Sequence, residues 1–256
     1  MRFLTVFSRA CVFALMVVSR PAFAQPTQPI YLQYDGYVHN PDGTYTLSFG
    51  YFNMNNVDVT VPPGDANGFT PSPADRNQPL RFVKGRHRFA CSMVIDKGFD
   101  GKLQWTVKFA GKTSTTTAKV LDPLYELEHN SEEHATAGLD VKGAARNVCV
   151  NRPPSVRIGN PFAPPQTGPG GTMTGRVNQE LTIVSQVEDD GLPRNGSLTI
   201  AWKKVSGPGD VTFSDAAAAT TRAKFSAAGK YEIELSASDG ERTARATVGV
   251  TVSAAP

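Results

Sequence analysis

Apolar and polar residues alternate strictly near the start of the chain. Along 45–51 the odd positions hold Tyr, Leu, Phe and Tyr, and the even positions hold Thr, Ser and Gly. Successive side chains of a β-strand point to opposite faces, so this period of two predicts strands over 31–39 and 44–53. The sequence NPDG separates them, and an Asp-Gly pair between β-prone runs is a strong hairpin signal. The pattern therefore predicts an antiparallel hairpin.

The same period recurs further along the first half. Alternate positions of 89–95 and of 103–109 are apolar, which predicts two more strands and places Cys91 on the core side. Residues 113–120, rich in threonine, predict a last strand of this half. The segment 62–79 is rich in Pro, Gly, Asn and Asp and predicts a long loop.

The second half carries short β-prone runs separated by turn residues. Helical periodicity is scarce, and a loop rich in Pro, Gly and Thr is predicted over 160–175. Short strands at regular spacing are typical of an immunoglobulin-like sandwich. The fold class is therefore predicted to be all-β, with two β-sandwich domains in tandem. The strands predicted in this half are 181–187, 198–205, 221–225, 230–236 and 244–252.

The chain divides into four segments on this pattern. Residues 1–24 are predicted to be a signal peptide, and 25–128 an N-terminal β-sandwich domain. Residues 129–151 combine acidic and small residues without alternation, and are interpreted as a connector. Residues 152–256 are the predicted second sandwich.

The first 24 residues have the three parts of a secretory signal. Arg2 and Arg9 form a basic start, 10–18 is an apolar run, and 22–24 (AFA) is a small-x-small cleavage site. The apolar run is shorter than the roughly 20 residues that a membrane-spanning helix needs. The protein is therefore expected to be extracytoplasmic after cleavage behind Ala24, in the periplasm, on the cell surface or in the medium.

Removal of this segment changes the charge balance. The whole chain has 26 Lys and Arg against 23 Asp and Glu, and the segment contains three arginines and no acid. The remaining chain therefore has equal numbers of basic and acidic residues. Because nucleic-acid binding needs a basic surface to neutralise phosphates, the composition argues against a nucleic-acid partner.

Two cysteines, Cys91 and Cys149, remain after cleavage. Exported compartments are oxidising, so an even pair predicts a disulfide. The alternative is two separately buried thiols. A disulfide between them would attach the end of the connector to the first domain.

Five short motifs occur in order in the second half, at 187–193 (VEDDGLP), 198–205 (LTIAWKKV), 206–209 (SGPG), 228–231 (AGKY) and 237–241 (ASDGE). This part of the chain resembles the PKD/REJ-like β-sandwich modules of secreted and surface proteins of bacteria. The usual Trp-x-Phe-Gly-Asp-Gly stretch of PKD modules is absent, since Trp202 is followed by KKVS. The first half contains the motifs 42–45 (DGTY), 50–53 (GYFN), 73–76 (PADR) and 103–105 (LQW). In these it is similar to an uncharacterised domain found ahead of such modules in secreted bacterial proteins, and this family implies no activity.

The resemblance implies a candidate calcium site, because some PKD modules bind Ca²⁺ near their N-terminus. The matching positions here are Asn151, Asp189, Asp190 and Asp239. Calcium takes six to eight oxygen ligands, which carboxylates, an amide and backbone carbonyls can supply. The alternative is that these residues only form turns, for which Asp and Gly are well suited.

Other candidate sites are weaker. His129 and His134 flank two glutamates without zinc-site spacing, and are interpreted as part of a solvated connector. Trp105 and Trp202 lie in alternating apolar runs, which favours the core over a sugar-binding surface. An exposed aromatic patch is more readily predicted for four tyrosines, Tyr31, Tyr34, Tyr37 and Tyr51.

The sequence contains no motif for nucleophilic or phosphate chemistry. The leading hypothesis is a secreted, non-enzymatic binding or scaffold protein of the bacterial envelope that contacts a polysaccharide or a surface protein. The second is an accessory component of a secreted carbohydrate-hydrolase system, since paired carboxylates meet only in the fold. The third is a purely structural spacer or assembly subunit.

Overall fold

A computed structural model describes residues 26–120, 122–127, 145–159 and 172–254. The predicted signal peptide, most of the predicted connector with both of its histidines, and 160–171 of the predicted loop lie outside these residues. The described part is built of β-strands, with one short 3-10 turn at Pro123–Tyr125. It contains no helix long and apolar enough to cross a membrane.

Eight strands precede the 3-10 turn and nine follow it. The first eight are β1 (Ile30–His39), β2 (Tyr45–Asn53), β3 (Val59–Thr60), β4 (Asn67–Thr70), β5 (Arg81–Phe82), β6 (Gly85–Ile95), β7 (Gln104–Phe109) and β8 (Lys112–Thr117). The others are β9 (Ser155–Ile158), β10 (Thr172–Arg176), β11 (Glu180–Ile183), β12 (Ser185–Glu188), β13 (Thr199–Ser206), β14 (Val211–Phe213), β15 (Thr221–Phe225), β16 (Gly229–Ser238) and β17 (Thr243–Ser253).

The first sandwich has two three-stranded sheets, β1-β2-β6 and β4-β7-β8. The predicted hairpin is confirmed, because β1 and β2 pair antiparallel from His39 opposite Tyr45. Trp105 lies in the core with no exposed surface, and its ring Nε1 donates to Asn67 Oδ1 at 2.8 Å. The indole is therefore satisfied inside the core, as predicted.

The second sandwich places a four-stranded sheet, β10-β17-β16-β13, against a layer formed by β11-β15-β14 and β12-β9. Its core contains Trp202, Phe225, Ile233 and Val248. The strand pairs are antiparallel except β10 with β17, which is parallel. Two sheets enclosing one apolar layer form the immunoglobulin-like β-sandwich that the sequence predicts.

Three strand predictions need correction. The predicted loop 62–79 contains β4, which pairs with β7 opposite Trp105. The predicted loop 160–175 contains the first residues of β10, which pairs with the last strand. The predicted strand 181–187 is broken at Val184, because β11 pairs with β15 whereas β12 pairs with β9. Pairing with a distant strand decided each case.

The predicted tyrosine patch is wrong for three of its four members. Tyr34, Tyr37 and Tyr51 are buried in the first core, and only Tyr31 is exposed, at 52% of its surface. The ring of Tyr51 is not exposed to solvent, because it packs against Phe82. Its hydroxyl oxygen accepts a hydrogen bond from the Val83 N–H at 2.9 Å. A tyrosine on the inward side of a strand stays in the core when its hydroxyl finds a partner.

The predicted disulfide is confirmed. Cys91 of β6 and Cys149 are bonded, with Cα atoms 4.9 Å apart, and both are buried in the first core. The segment around Cys149 also forms backbone hydrogen bonds with the first sandwich. The Cys149 N–H donates to Arg76 O, and the Val150 N–H donates to Ser92 O. The end of the predicted connector is therefore attached to the first sandwich.

Candidate cation site at the junction of the two sandwiches

Three loops of the second sandwich meet where it contacts the first. Asn151 precedes β9, Asp189 and Asp190 follow β12, and Asp239 follows β16. The Arg152 N–H donates to Asp190 Oδ2 at 2.8 Å, which joins the first loop to the second. Asn151 Nδ2 donates to Glu241 Oε2 at 3.1 Å, which joins the first loop to the third. The four predicted site residues thus belong to one connected cluster.

The second and third loops are also in contact. A Cβ atom at Gly196 would collide with the backbone oxygen of Asp239, so the turn after β12 lies directly against the turn after β16. The negative charge of Asp239 also acts on Asp189 and contributes to raising its pKa. The two acidic turns therefore face each other across a short gap.

Each aspartate uses part of its carboxylate to form its own turn. Asp189 Oδ2 accepts from the Gly191 N–H at 2.9 Å, and Asp190 Oδ1 accepts from the Leu192 N–H at 2.9 Å. Asp239 Oδ1 accepts from two backbone N–H groups, at 2.7 and 2.6 Å. Side-chain bonds to the backbone two residues on are the usual reason for Asp in turns. Turn formation therefore accounts for one oxygen of each carboxylate.

The remaining oxygens are not explained by turn formation. Asn151 Oδ1, Asp189 Oδ1 and Asp239 Oδ2 are all buried and have no hydrogen-bond partner. Asp239 as a whole is only 1% exposed. A buried polar atom without a partner costs free energy, and such atoms are rare in folded proteins. Three such oxygens lie in this one cluster, and an electron-pair acceptor is the kind of ligand that would partner them all.

Asp190 has a different role from its neighbour. Both of its oxygens accept backbone N–H groups, one from Arg152 and one from Leu192. It therefore holds the start of β9 and the loop after β12 together. The sequence placed Asp190 among the calcium ligands, and its geometry favours positioning of the loops that carry Asn151 and Asp189.

Burial raises the pKa values of both adjacent aspartates. The pKa of Asp189 rises from 3.8 to about 6, chiefly because the carboxyl group is desolvated, with a smaller contribution from Asp239. Desolvation likewise raises the pKa of Asp190 to about 7, and the backbone N–H donors only partly oppose it. Desolvation also lowers the pKa of the Arg152 guanidinium, which lies near Asp190 and Asp35. Without a cation, the ionised carboxylates of the cluster therefore lower the stability of the folded state.

The donor set fits a hard cation. The free atoms are two carboxylate oxygens and one amide oxygen, which suit calcium and not a site built from nitrogen and sulfur. Within the described residues no three or more His, Cys, Asp and Glu side chains are grouped to hold a metal. The cluster contributes one free oxygen from each of two carboxylates and one amide oxygen, and backbone carbonyls or water would have to complete the shell.

The same geometry argues against glycoside hydrolysis by these carboxylates. A general acid and its partner must flank a sugar ring with room for a water or a covalent intermediate. Asp239 is buried, and both oxygens of Asp190 are engaged by backbone N–H groups. The cluster therefore offers no open face to a pyranose.

The loop after β12 also inserts into the first sandwich. Leu192 is 1% exposed and belongs to the apolar core of the first sandwich, not of the second. Arg194 forms a bidentate ion pair with Asp75, at 2.8 and 2.5 Å, and its Nε donates to Gln78 O at 2.9 Å. The cation cluster and the contact between the sandwiches are therefore built from the same loop, which the sequence did not reveal.

A second contact lies on the other side of the cluster. The Arg152 guanidinium stands 5.6 Å from the centre of the Phe89 ring, and its Nη1 donates to Phe89 O at 3.5 Å. Phe89 occupies a bulge of β6 with φ of +56°. Bulges redirect side chains at strand edges. This one turns the backbone oxygen of Phe89 toward the junction.

We expect the unfolding free energy of the calcium-free protein to fall as the pH rises from about 4 to about 7 through these two groups. Their folded pKa values exceed 3.8. The folded state therefore keeps protons that the unfolded state has released, and this stabilisation is lost as the pH passes the folded values. Urea denaturation in EDTA at about pH 4.5 and 7.5 measures the effect.

The matched variant is Asp189→Asn, which keeps the turn and cannot ionise. It should flatten the pH dependence and be more stable than the wild type at the higher pH. Asp58 and Asp75, whose ion pairs with arginines help to lower their pKa values, act in the opposite direction and are unchanged in the variant. An identical pH dependence in both proteins would contradict the assignment.

No protein-family model matches the chain, so membership of the PKD/REJ-like modules stays a prediction. Among solved structures, the PKD domain from KIAA 1837 protein shares 20% identity over 38% of this chain and 97% of its own, with a TM-score of 0.25. Fibronectin(III)-like modules of Clostridium thermocellum CbhA share 12% over 87% of this chain and 94% of theirs, with a TM-score of 0.27. A tandem pair of titin Ig domains shares 10% over 89% of this chain and 100% of its own, with a TM-score of 0.23. At these values the likenesses carry no argument about function.

Proposed function

We propose that this protein is an exported, non-catalytic scaffold or binding protein of the bacterial envelope, in which bound calcium holds the two sandwiches in a fixed relation. The observation that carries the proposal is the set of three buried, unpartnered oxygens of Asn151, Asp189 and Asp239 at the junction. A divalent cation would supply the missing partner for all three. It would also remove the electrostatic cost that raises the pKa of Asp189.

The contacts around the cluster support a mechanical role. The loop that carries Asp189 also carries Leu192 and Arg194, which contact the first sandwich. The segment that carries Asn151 follows Cys149, which is bonded to the first sandwich. A cation that draws these segments together would therefore limit motion between the two sandwiches. The fixed pair would present its outer faces to a polysaccharide or a surface protein of the envelope.

The expected compartment suits this mechanism. A disulfide persists in oxidising compartments outside the cytoplasm. Calcium sites of extracellular modules bind with dissociation constants of about 10⁻⁴ to 10⁻³ M, weak enough to need an environment rich in calcium. Export is proposed from the signal-like first 24 residues.

Calcium is expected to raise the thermal midpoint of the purified protein lacking residues 1–24. A ligand that binds only the folded state stabilises it by mass action, by about 2.7 kcal/mol at a hundredfold excess over the dissociation constant. Differential scanning calorimetry in EDTA and then in millimolar Ca²⁺ measures the shift. Mg²⁺ serves as the comparison ion, because its strict octahedral geometry suits this irregular oxygen set poorly.

Two isosteric variants make the test specific. Asp239→Asn should retain the fold in EDTA and lose the response to calcium, because its turn oxygen is kept and its free oxygen is neutralised. Asp210→Asn, at an exposed aspartate in the loop before β14, should respond like the wild type. If calcium leaves the wild-type midpoint unchanged, the cation site is wrong and the aspartates serve only their turns.

A further inference from the structure

The outer face of the β1-β2-β6 sheet carries an exposed row of two aromatic rings and a guanidinium. Tyr31 lies opposite Phe52 in the pairing of β1 with β2, and Phe52 lies opposite Arg86 in the pairing of β2 with β6. Tyr31 is 52% and Phe52 is 38% exposed. Directly paired residues point to the same face, so the three side chains form a row about 10 Å wide across the strands.

The apolar surface continues past the end of β2. Met54 and Val57 are both exposed, and the turn that carries them is held by Asn53, whose Nδ2 donates to Val57 O at 3.0 Å. Four of the large apolar side chains that are exposed in the described residues therefore adjoin one end of one hairpin. Single exposed apolar residues are ordinary, whereas a contiguous group marks an interaction site.

The polar groups beside the row are held in place by a buried carboxylate. Asp35 occupies the bulge of β1, and its side chain is 1% exposed. It accepts from Gln33 Nε2 at 2.7 Å, from the Phe89 N–H at 2.7 Å and from Arg88 Nε at 3.4 Å. Gly50 is required opposite it, because a Cβ there would collide with the Asp35 carboxylate. The side chains of Gln33 and Arg88 beside the row are therefore held in fixed positions.

The row has one unused positive charge. Arg86 is exposed and forms no ion pair or side-chain hydrogen bond with any residue that the structure describes. The nearby acids are engaged elsewhere, since Asp35 contacts Arg88 and Asp58 pairs with Arg81 at 2.6 Å. A free guanidinium next to two exposed rings matches a ligand with an apolar face and an acidic group, because guanidinium binds carboxylate or sulfate through two parallel hydrogen bonds.

We infer that this row binds an acidic polysaccharide, with sugar rings stacked on Tyr31 and Phe52 and a carboxylate or sulfate group on Arg86. Pyranose rings present C–H groups to the negative face of an aromatic ring, and the sequence of ring, ring and guanidinium along the row suits successive units of an acidic glycan. A membrane contact would need a larger basic cluster, and a stable protein interface a larger apolar area. The inference names the partner that the proposed function leaves open.

The probes are hexasaccharides of galacturonate, hyaluronan and chondroitin sulfate. The fully methyl-esterified galacturonate hexamer, which lacks the carboxylate charge, is the uncharged control. Isothermal titration of the protein lacking residues 1–24 measures their affinities at fixed salt. At least one acidic hexamer should bind, and loss of a charged hydrogen bond in Arg86→Gln should weaken it about tenfold or more. Tyr31→Ala combined with Phe52→Ala should abolish binding. Arg86→Gln should leave the thermal midpoint unchanged, and the double variant should remain folded with a small loss of stability, because its two rings form a partly exposed cross-strand pair.

Matched changes on other faces are the controls. Lys108→Gln, on the opposite sheet of the first sandwich, and Val205→Ala, on the second sandwich, should bind like the wild type. Equal weakening by these controls, equal binding of the methyl ester where galacturonate is bound, or no binding of any acidic hexamer would overturn the inference. Binding to phosphatidylglycerol vesicles that depends on Arg86, without glycan binding, would make the row a membrane contact instead.

The glycan inference and the calcium proposal can be contradicted independently of each other. Asp239→Asn should lose its calcium response and retain glycan affinity, because Asp239 lies in the second sandwich. Arg86→Gln should keep the calcium response and lose affinity. Titrations in EDTA and in calcium therefore report on two different surfaces.

Discussion

Replacing Cys91 and Cys149 with alanine is expected to lower the unfolding free energy of the first sandwich by about 4 kcal/mol. The bond closes a loop with a sequence separation of 58 residues. In the chain-entropy model, opening a loop of this size restores conformational freedom to the unfolded chain. Loss of the two sulfurs also leaves space in the core, where both cysteines are buried. Urea denaturation followed by circular dichroism measures the change.

Reduction provides the matched control for this prediction. A reductant should destabilise the wild type by a similar amount and leave the alanine variant unaffected. The effect should also appear as faster hydrogen exchange in the strands next to Cys91, β2 and β6, more than in β16 and β17. A variant as stable as the wild type would show that the chain beyond Arg146 is held without the bond.

Leu192→Ala is expected to cost about 2–5 kcal/mol, the range for large apolar side chains removed from a core. The loss of stability should appear in the first sandwich, although Leu192 lies in the second half of the chain. Leu192 belongs to the second sandwich by its place in the chain and to the first core by its contacts. The loop around it lies against Pro79 and Arg81 of the first sandwich. Its removal should therefore loosen both the first core and the contact between the sandwiches.

Hydrogen exchange resolved by segment distinguishes these effects. We expect lower protection in the segment around Phe82 and in the loop 189–194 of Leu192→Ala, with β16 and β17 little changed. Leu198→Ala is the matched control, since Leu198 is 40% exposed and its removal should change stability by less than about 0.5 kcal/mol. Loss of protection confined to the second sandwich would contradict the placement of Leu192.

Local pattern predicted the strands that alternate cleanly. The run 45–51 places its apolar side chains inward over a full strand, and the Asp-Gly turn before it leaves the chain few alternatives to a hairpin. Trp105 and Trp202 were predicted as core residues for the same reason, and both are buried. The cysteine pairing followed from the two cysteines that remain once the predicted signal peptide, which contains Cys11, is removed from a chain predicted to be exported.

The pairing of strands that are distant in the sequence could not be predicted from the local pattern of residues. β4 is a strand because it lies opposite Trp105, and β10 because it lies beside the last strand of the chain. Neither segment could be predicted as a strand from its own residues, since Gly and Thr make up two of the four residues of β4 and three of the five of β10. Tyr31 and Tyr37 both occupy odd positions of β1, yet one is in solvent and the other in the core, because the bulge at Asp35 shifts which side of the strand faces inward.

The resemblance to PKD/REJ-like modules implied the four residues of the candidate cation cluster; by itself the sequence determined an all-β chain, one hairpin and the disulfide pair. These depend on residue type and on short-range order along the chain. Only the tertiary structure decided that Leu192 enters the other core, that Asp190 positions loops, and that three oxygens of Asn151, Asp189 and Asp239 are left without partners. It also decided that Tyr31, Phe52 and Arg86 form one row. Those features depend on which atoms meet after the loops and sheets have packed, and burial gives them their energies.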